Sequence, residues 1–166
     1  QYLKQEEVDL YDQVTQRGYA ISQTDPLKRQ LAYLRWTADF SNPLFSKLII
    51  TAFQQQFDEG RIRQKTNSPI VTTEFDKTVT RGFTAEVVSE ISDRHEAGTG
   101  IDFYADQVNS NAFDKNIQSM ELTAKRGLYP DNARMTSIAV YHRQSWTIKR
   151  WQLEGGIRAN MYWLNM

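Results

Sequence analysis

Apolar residues recur at every second position along much of this chain. Trp151, Leu153, Gly155, Ile157, Ala159, Met161 and Trp163 alternate with Gln152, Glu154, Gly156, Arg158 and Asn160. Successive side chains of a strand point to opposite faces, so the stretch predicts a strand with one apolar and one polar face. The pattern returns upstream. Ala32, Leu34, Trp36, Ala38 and Phe40 alternate with Tyr33, Arg35, Thr37 and Asp39. Val79, Phe83, Ala85, Val87 and Ile91 alternate with Thr80, Gly82, Thr84 and Glu86, with Val88 interrupting the polar face. Thr99, Ile101, Phe103 and Ala105 alternate with Gly100, Asp102, Tyr104 and Asp106. Residues 47–59 and 135–146 also predict strands, but the pattern does not fix which way either one faces. Helical periodicity is weak nearly throughout.

The connections between these six predicted strands alternate in length. Residues 41–44, 92–95 and 147–149 are short and turn-like, whereas 61–76 and 107–133 read as long polar loops. Short turns at one end and long loops at the other are the habit of antiparallel membrane barrels, with periplasmic turns and extracellular loops. Trp146 and Trp151 flank one short turn, and Phe40 and Phe45 flank another. Such rings suit a membrane interface, where one end of the ring is apolar and the other wet. They would equally cap the core of a soluble β-sandwich, whose strands also alternate. Two features favour lipid. The alternation over 149–164 outlasts the ~5–6 residues of an ordinary strand. The polar faces also carry opposite charges and glycines, as a solvated lumen would. On this reading Trp36, Phe103, Ile157 and Met161 face lipid.

Composition narrows the classes. Lys+Arg and Asp+Glu both number 20, so the formal charge is zero and no basic stripe points to nucleic acid. Cysteine is absent, which excludes disulfides, thiolate metal sites and thiol nucleophiles. No run approaches the ~18 apolar residues of a membrane helix, and no signal peptide opens the sequence. The mean hydropathy of −0.62 does not argue against a barrel, whose strands need apolar residues only on one side. Six strands fall short of the ~8 of the smallest barrels. The expectation is therefore an all-β chain, 1–166 being a segment of a single transmembrane β-barrel domain.

Several motifs resemble those of TonB-dependent outer-membrane receptors. Gly100-Ile101-Asp102-Phe103-Tyr104 is similar to a G-x-D-x-Y strand of that family. Arg126-Gly127-Leu128-Tyr129-Pro130-Asp131 resembles the loop before the next strand, and Ala139-Val140-Tyr141 with Trp146 resembles an A-x-Y-x-Q-D-x-W strand. Leu153-Glu154-Gly155-Gly156-Ile157-Arg158 is similar to the L-x-x-G-L-R-Y strand after it, and Asp9-Leu10-Tyr11-Asp12-Gln13 resembles an R-Y-D-x-L element of an upstream outer loop. The order is kept over nearly the whole chain. Arg143 stands where the family often has Gln, and Ala159 where it often has Tyr. The resemblance implies a barrel of about 22 strands around an N-terminal plug, with no plug in this chain. It implies uptake of iron chelates, haem, cobalamin or oligomeric nutrients across the outer membrane of a Gram-negative bacterium. The implied partners are the plug, the rest of the barrel, outer-membrane lipid, the inner-membrane TonB complex and, in some receptors, a surface lipoprotein. A passive porin and a soluble sandwich binding carbohydrate or a partner protein are the alternatives.

The candidate binding residues are polar groups toward the outer end. Arg29, Tyr33, Tyr104 and Asp106 are expected on the lumen face, and Arg61, Arg63 and Tyr129 in or near outer loops, where binding usually sits. The two histidines, His95 in a periplasmic turn and His142 in the periplasmic half of its strand, are expected to be solvated or lumen residues rather than ligands. Met120 and Met135 are expected to pack. Asp102/Asp106 and Glu86/Glu90 share faces at a spacing of ~13 Å along the strand, wider than the ~5–9.5 Å of glycosidase pairs. No triad and no glycine-rich phosphate loop is present. No enzymatic activity, metal or cofactor is expected.

Overall fold

The computed structural model describes residues 1–166, and they form one antiparallel sheet. In chain order the elements are β1 (Tyr2–Gln5), β2 (Val8–Asp9), α1 (Tyr11–Gln16), β3 (Tyr19–Asn42), β4 (Phe45–Lys65), β5 (Ile70–Ser92), β6 (His95–Asn116), β7 (Leu122–Arg126), β8 (Ala133–Ile148) and β9 (Trp151–Asn165). The strand order is β1-β3-β4-β5-β6-β8-β9, with β2 also paired to β3 and β7 to β6. The long strands are the predicted six, each hydrogen-bonded to its sequence neighbour in the path. The sheet is not closed: β9 at one side and most of β3 at the other have a single partner.

The register explains the alternation. Residues directly opposite one another share a face, and a slip of one would turn every side chain over. Trp36, Ile50, Ala85, Ile101, Val140 and Ala159 stand in one continuous row across the strands. One row away on the same face stand Leu34, Ala52, Phe83, Phe103, Ile138 and Met161. Trp36, Phe103, Ile157 and Met161 therefore lie together on the apolar face, as expected. The rows also settle the strands that the alternation left open. Leu48, Ile50 and Ala52 of β4 and Ile138 and Val140 of β8 belong to the apolar face.

Nothing covers that face. Only 12 of 166 residues are buried, and Leu34 and Ile157 are 75% and 77% exposed. A soluble domain needs a second layer against which its apolar face is buried, and the only helix, α1, has 6 residues and no buried one. The apolar band has edges. Toward the tight turns it ends near Trp146, Trp151 and the Phe40–Phe45 pair, whose rings are 4.8 Å apart edge-to-face. Toward the other end it first admits Gln54 and Arg81, bonded at 3.0 Å in the row of Trp163, and then gives way to Gln30, Gln56, Val79, Gln107 and Arg134. Between Leu153 and Trp163, β9 climbs ~33 Å along a strand, and a tilt of ~40° makes the band ~25 Å tall.

Beyond the band the strands continue, which corrects two expected loops. Residues 61–76 are not a loop: β4 and β5 stay in register from Arg61↔Glu74 to Gln64↔Val71, and the turn lies between Lys65 and Ile70. Residues 107–133 are likewise mostly strand, β6 running to Asn116 and β7 folding back on it. Here the face that continues the apolar band mixes Ile62, Val71, Phe75 and Phe113 with Gln64, Thr73, Asn111 and Lys115, so no clean apolar alternation marks the strands. Cross-strand ion pairs and threonines hold them instead. Gly60 is required in this region, because a Cβ there would run into the Asp25 carbonyl where β3 bulges between Thr24 and Leu27.

Candidate functional site

The polar face of the sheet carries the chemistry. At mid-height a row runs Tyr33, Phe53, Gly82, Tyr104, Ser137 and Tyr162. The Phe53 and Tyr104 rings meet edge-to-face at 5.6 Å between centroids. Phe53 lies over Gly82, whose missing side chain is what makes room for the ring. Tyr33 and Tyr162 are 68% and 63% exposed, so the ends of this aromatic shelf are free to meet another surface.

Polar groups flank the shelf. On the side away from the tight turns Arg29 donates to Gln55 at 3.1 Å, and the Thr80 hydroxyl donates to Asp106 at 2.6 Å. On the side of the tight turns Arg158 donates to Asp102 at 2.5 Å and to Asn160 at 2.8 Å, and its guanidinium stacks over Tyr141. Arg143 bridges Glu86 and Glu96 at 2.9 and 3.0 Å. The sheet has thus placed Arg29, Tyr33, Tyr104 and Asp106 on one face within a few rows.

The remaining candidates are placed differently. Arg61 and Arg63 lie within β4, not in a loop, and both are engaged. Arg61 reaches Glu59 at 3.0 Å, Glu74 at 3.6 Å and Asp76 at 2.5 Å, while Arg63 pairs with Glu74. Asp76 is buried and also accepts from Ser110 at 2.5 Å. Ser110 in turn accepts from the Tyr129 backbone N–H at 3.2 Å, and its own N–H donates to Asp131. Arg61 and Tyr129 are therefore two ends of one polar chain that ties the loop of residues 127–132 to the hairpin. Further out, Asp114 accepts from the Thr72 hydroxyl at 2.6 Å and pairs with Lys125 at 3.1 Å. The Thr72 hydrogen bond, supported by Lys125, holds the Asp114 carboxyl below its ordinary range against the opposing effect of partial burial.

The histidines depart from expectation. His142 is on the apolar face, not a lumen position, in the row of Ala38, Leu48, Val87, Thr99 and Ile157. It is bonded to Thr99 at 2.8 Å and to Gln144 at 2.9 Å. His95 opens β6 and stacks on Trp146 at 5.2 Å. Phe53 and Tyr162 were not singled out from the sequence. The glycine at Gly82, on a strand between bulky neighbours, was the available sign that a ring crosses there.

No family model matches the chain, and no curated protein matches it. Solved structures do match in fold. The chain is similar to one described as the copper transporter OprC, with a TM-score of 0.69 and 16% identity over 88% of this chain and 23% of that one. It is similar also to the ferric citrate transporter FecA in its unliganded form, with a TM-score of 0.67 and 17% identity over 97% of this chain and 26% of that one. The chain thus spans about a quarter of the length of those transporters. Its fold is that of an antiparallel sheet from the barrel of such a transporter.

Proposed function

We propose that the chain is a stretch of the barrel wall of a TonB-dependent outer-membrane transporter, and that the protein takes up a nutrient across the outer membrane. One observation carries this reading: an uncovered apolar band ~25 Å tall, the height of a barrel's lipid belt, lies behind a charged face on strands that share their fold with two transporters. On this reading the apolar face meets lipid, the tight turns are periplasmic, and the strand extensions project outside the cell. The polar face looks into a lumen, where it meets the plug and, nearer the outer end, the nutrient. Arg29, Tyr33, Tyr104 and Asp106 are the residues proposed to touch that nutrient, with Phe53 and Tyr162 completing the shelf. The protein would act as a transporter with no catalytic step of its own. The TonB complex would supply energy through a plug. An iron chelate, haem, cobalamin or an oligomeric nutrient would each suit such a lumen.

A soluble sandwich requires a second sheet over the apolar face, and the single sheet observed disfavours it. The test is fractionation of cells making the native polypeptide, with its intact mass and a peptide map. The expected result is a polypeptide of several hundred residues that stays with the outer membrane and leaves it only with detergent. A polypeptide recovered as a soluble monomer would overturn the reading.

A further inference from the structure

Followed away from the tight turns, the apolar face gains cations where the band ends. Arg81 stands in the row of Trp163, and Arg134, Lys77 and Arg126 stand one, two and three rows further on the same face. None of them forms an ion pair. Arg81 donates to the Gln54 amide at 3.0 Å and Arg134 to the Asn132 amide at 3.4 Å, and neither bond compensates a charge. Two carboxylates lie among the four cations. Asp58, which shares the row of Lys77, accepts from the Gln56 amide at 2.9 Å. Asp131, in the loop between β7 and β8, accepts from the Ser110 backbone N–H at 3.2 Å. An excess of positive charge remains over β4 to β8.

The opposite face of these strands is built differently. There Arg61 and Arg63 are paired with Glu59, Glu74 and Asp76, and Lys125 with Asp114, so that only Lys65 near the hairpin tip lacks a carboxylate partner. Uncompensated cations are thus gathered on the side that carries the apolar band, just beyond its edge. Strands lie ~4.8 Å apart and residues rise ~3.3 Å along each, which sets the backbones of Arg81, Lys77 and Arg134 ~12–13 Å from one another. Beside Arg81, Ala32, Leu34 and Ala52 line a shallow apolar hollow, and Phe83 and Phe103 are exposed below it.

We propose that this surface binds a phosphorylated glycolipid of the outer leaflet, with a phosphate at each end of its saccharide headgroup. The phosphates sit among Arg81, Lys77 and Arg134, where a guanidinium can meet phosphate oxygens in pairs. The acyl chains lie over Ala32, Ala52, Phe83 and Phe103. Position and charge together select this occupant. The cations begin in the row of Trp163, at the level where headgroups meet the band, and a zwitterionic phospholipid would bring them no net charge. A headgroup with two separated phosphates answers cations that stand apart on neighbouring strands. The inference rests on the membrane reading above.

The test uses the native polypeptide in neutral detergent, offered diphosphoryl lipid A and its monophosphoryl form in equal amounts, with bound lipid read by native mass spectrometry. The diphosphoryl form should dominate. Lys77→Ser with Arg134→Ser should cut its binding by about fivefold per cation, the usual worth of a basic residue at an anionic surface. Lys65→Ser, which removes an unpaired cation from the opposite face, should leave that binding unchanged. Equal binding of the two forms by the native protein would overturn the proposal. So would an equal loss in Lys65→Ser, displacement by inorganic phosphate alone, or a polypeptide found on this face. A protein that needs detergent but shows no preference sinks only the lipid site. One that stays soluble without detergent sinks the membrane reading with it.

Discussion

At the scale of single residues, the two faces of β9 should respond oppositely to charge. Ile157 and Arg158 are neighbours in sequence, yet Ile157 is 77% exposed on the apolar face while Arg158 is paired to Asp102 on the polar one. With the apolar face against lipid as proposed, Ile157→Arg would place a cation in the lipid belt and should cost ~2–4 kcal/mol of assembly free energy. Arg158→Ala removes a pair that solvent screens and should cost much less. Folded fraction against urea in vesicles measures both, and equal effects would refute the assignment of faces. Gly82→Ala should displace the Phe53 ring at little cost in stability, since the clash is with the far end of a ring on an uncovered face. It should also quench any nutrient binding that uses the shelf, which a titration of bound nutrient would show. The facing of β9 was legible because its alternation is clean. That of β4 was not, because Ile49, Phe53 and Phe57 put apolar groups on the polar face opposite Leu48, Ile50 and Ala52. Only the neighbouring strands resolve it, and with it Phe53. His142 was misplaced for the same reason, as a polar residue on the apolar side of a strand whose facing the pattern left open.

At the scale of elements, the sequence showed where strands cross the band but not how far they continue. Alternation reports a contrast between two surroundings, and outside the band both faces meet water. The hairpin of β4 and β5 is held there by Arg61, Arg63, Glu74 and Asp76, residues that also suit a loop. The small strand β7 is paired to β6 over Leu122–Arg126, and its Lys125 adds a side-chain contact to Asp114, which also accepts from Thr72 of β5. Because the folded carboxyl titrates below its ordinary range, the contact contributes stability that is complete above the unfolded pKa of ~4 and is lost as pH falls through the lower folded value. Acidification from pH 6 to below ~4 should therefore loosen β7 at its Lys125 contact while β6 stays paired to β8. Backbone exchange of residues 122–126, corrected for its intrinsic pH dependence, measures this. Asp114→Asn should leave exchange there nearly independent of pH, and a β7 that stays protected in acid would exclude the mechanism.

At the scale of the whole molecule, the sheet separates two surroundings across its thickness and a third along its length. Through the band, one face is apolar and the other charged, and above Gln30, Gln56 and Gln107 the first face turns mixed, with Ile62, Phe75 and Phe113 set among Gln64, Thr73 and Asn111. A soluble sheet packed on a second layer would hide one face over its full length, whereas a barrel wall hides it only over the height of the lipid. These 166 residues hold no cysteine, so the difference is measurable with single cysteines introduced here, any thiol elsewhere in the polypeptide being replaced first. In intact outer membrane, cysteines at Trp36, Phe103 and Met161 should resist a water-soluble maleimide and react with a membrane-permeant one. Cysteines at Arg35, Tyr104 and Asn160, each next in sequence, should react with the water-soluble reagent once the lumen is open to it. On β4 and β5, cysteines at Ile62 and Arg63 or at Thr72 and Thr73 should react on both faces from outside the cell. Protection that alternates between Ile62 and Arg63 as it does between Trp36 and Arg35 would move the edge of the lipid belt outward by several rows. It would then make the hairpin part of the membrane wall, and the ion pairs of Arg61 and Arg63 part of the lumen lining.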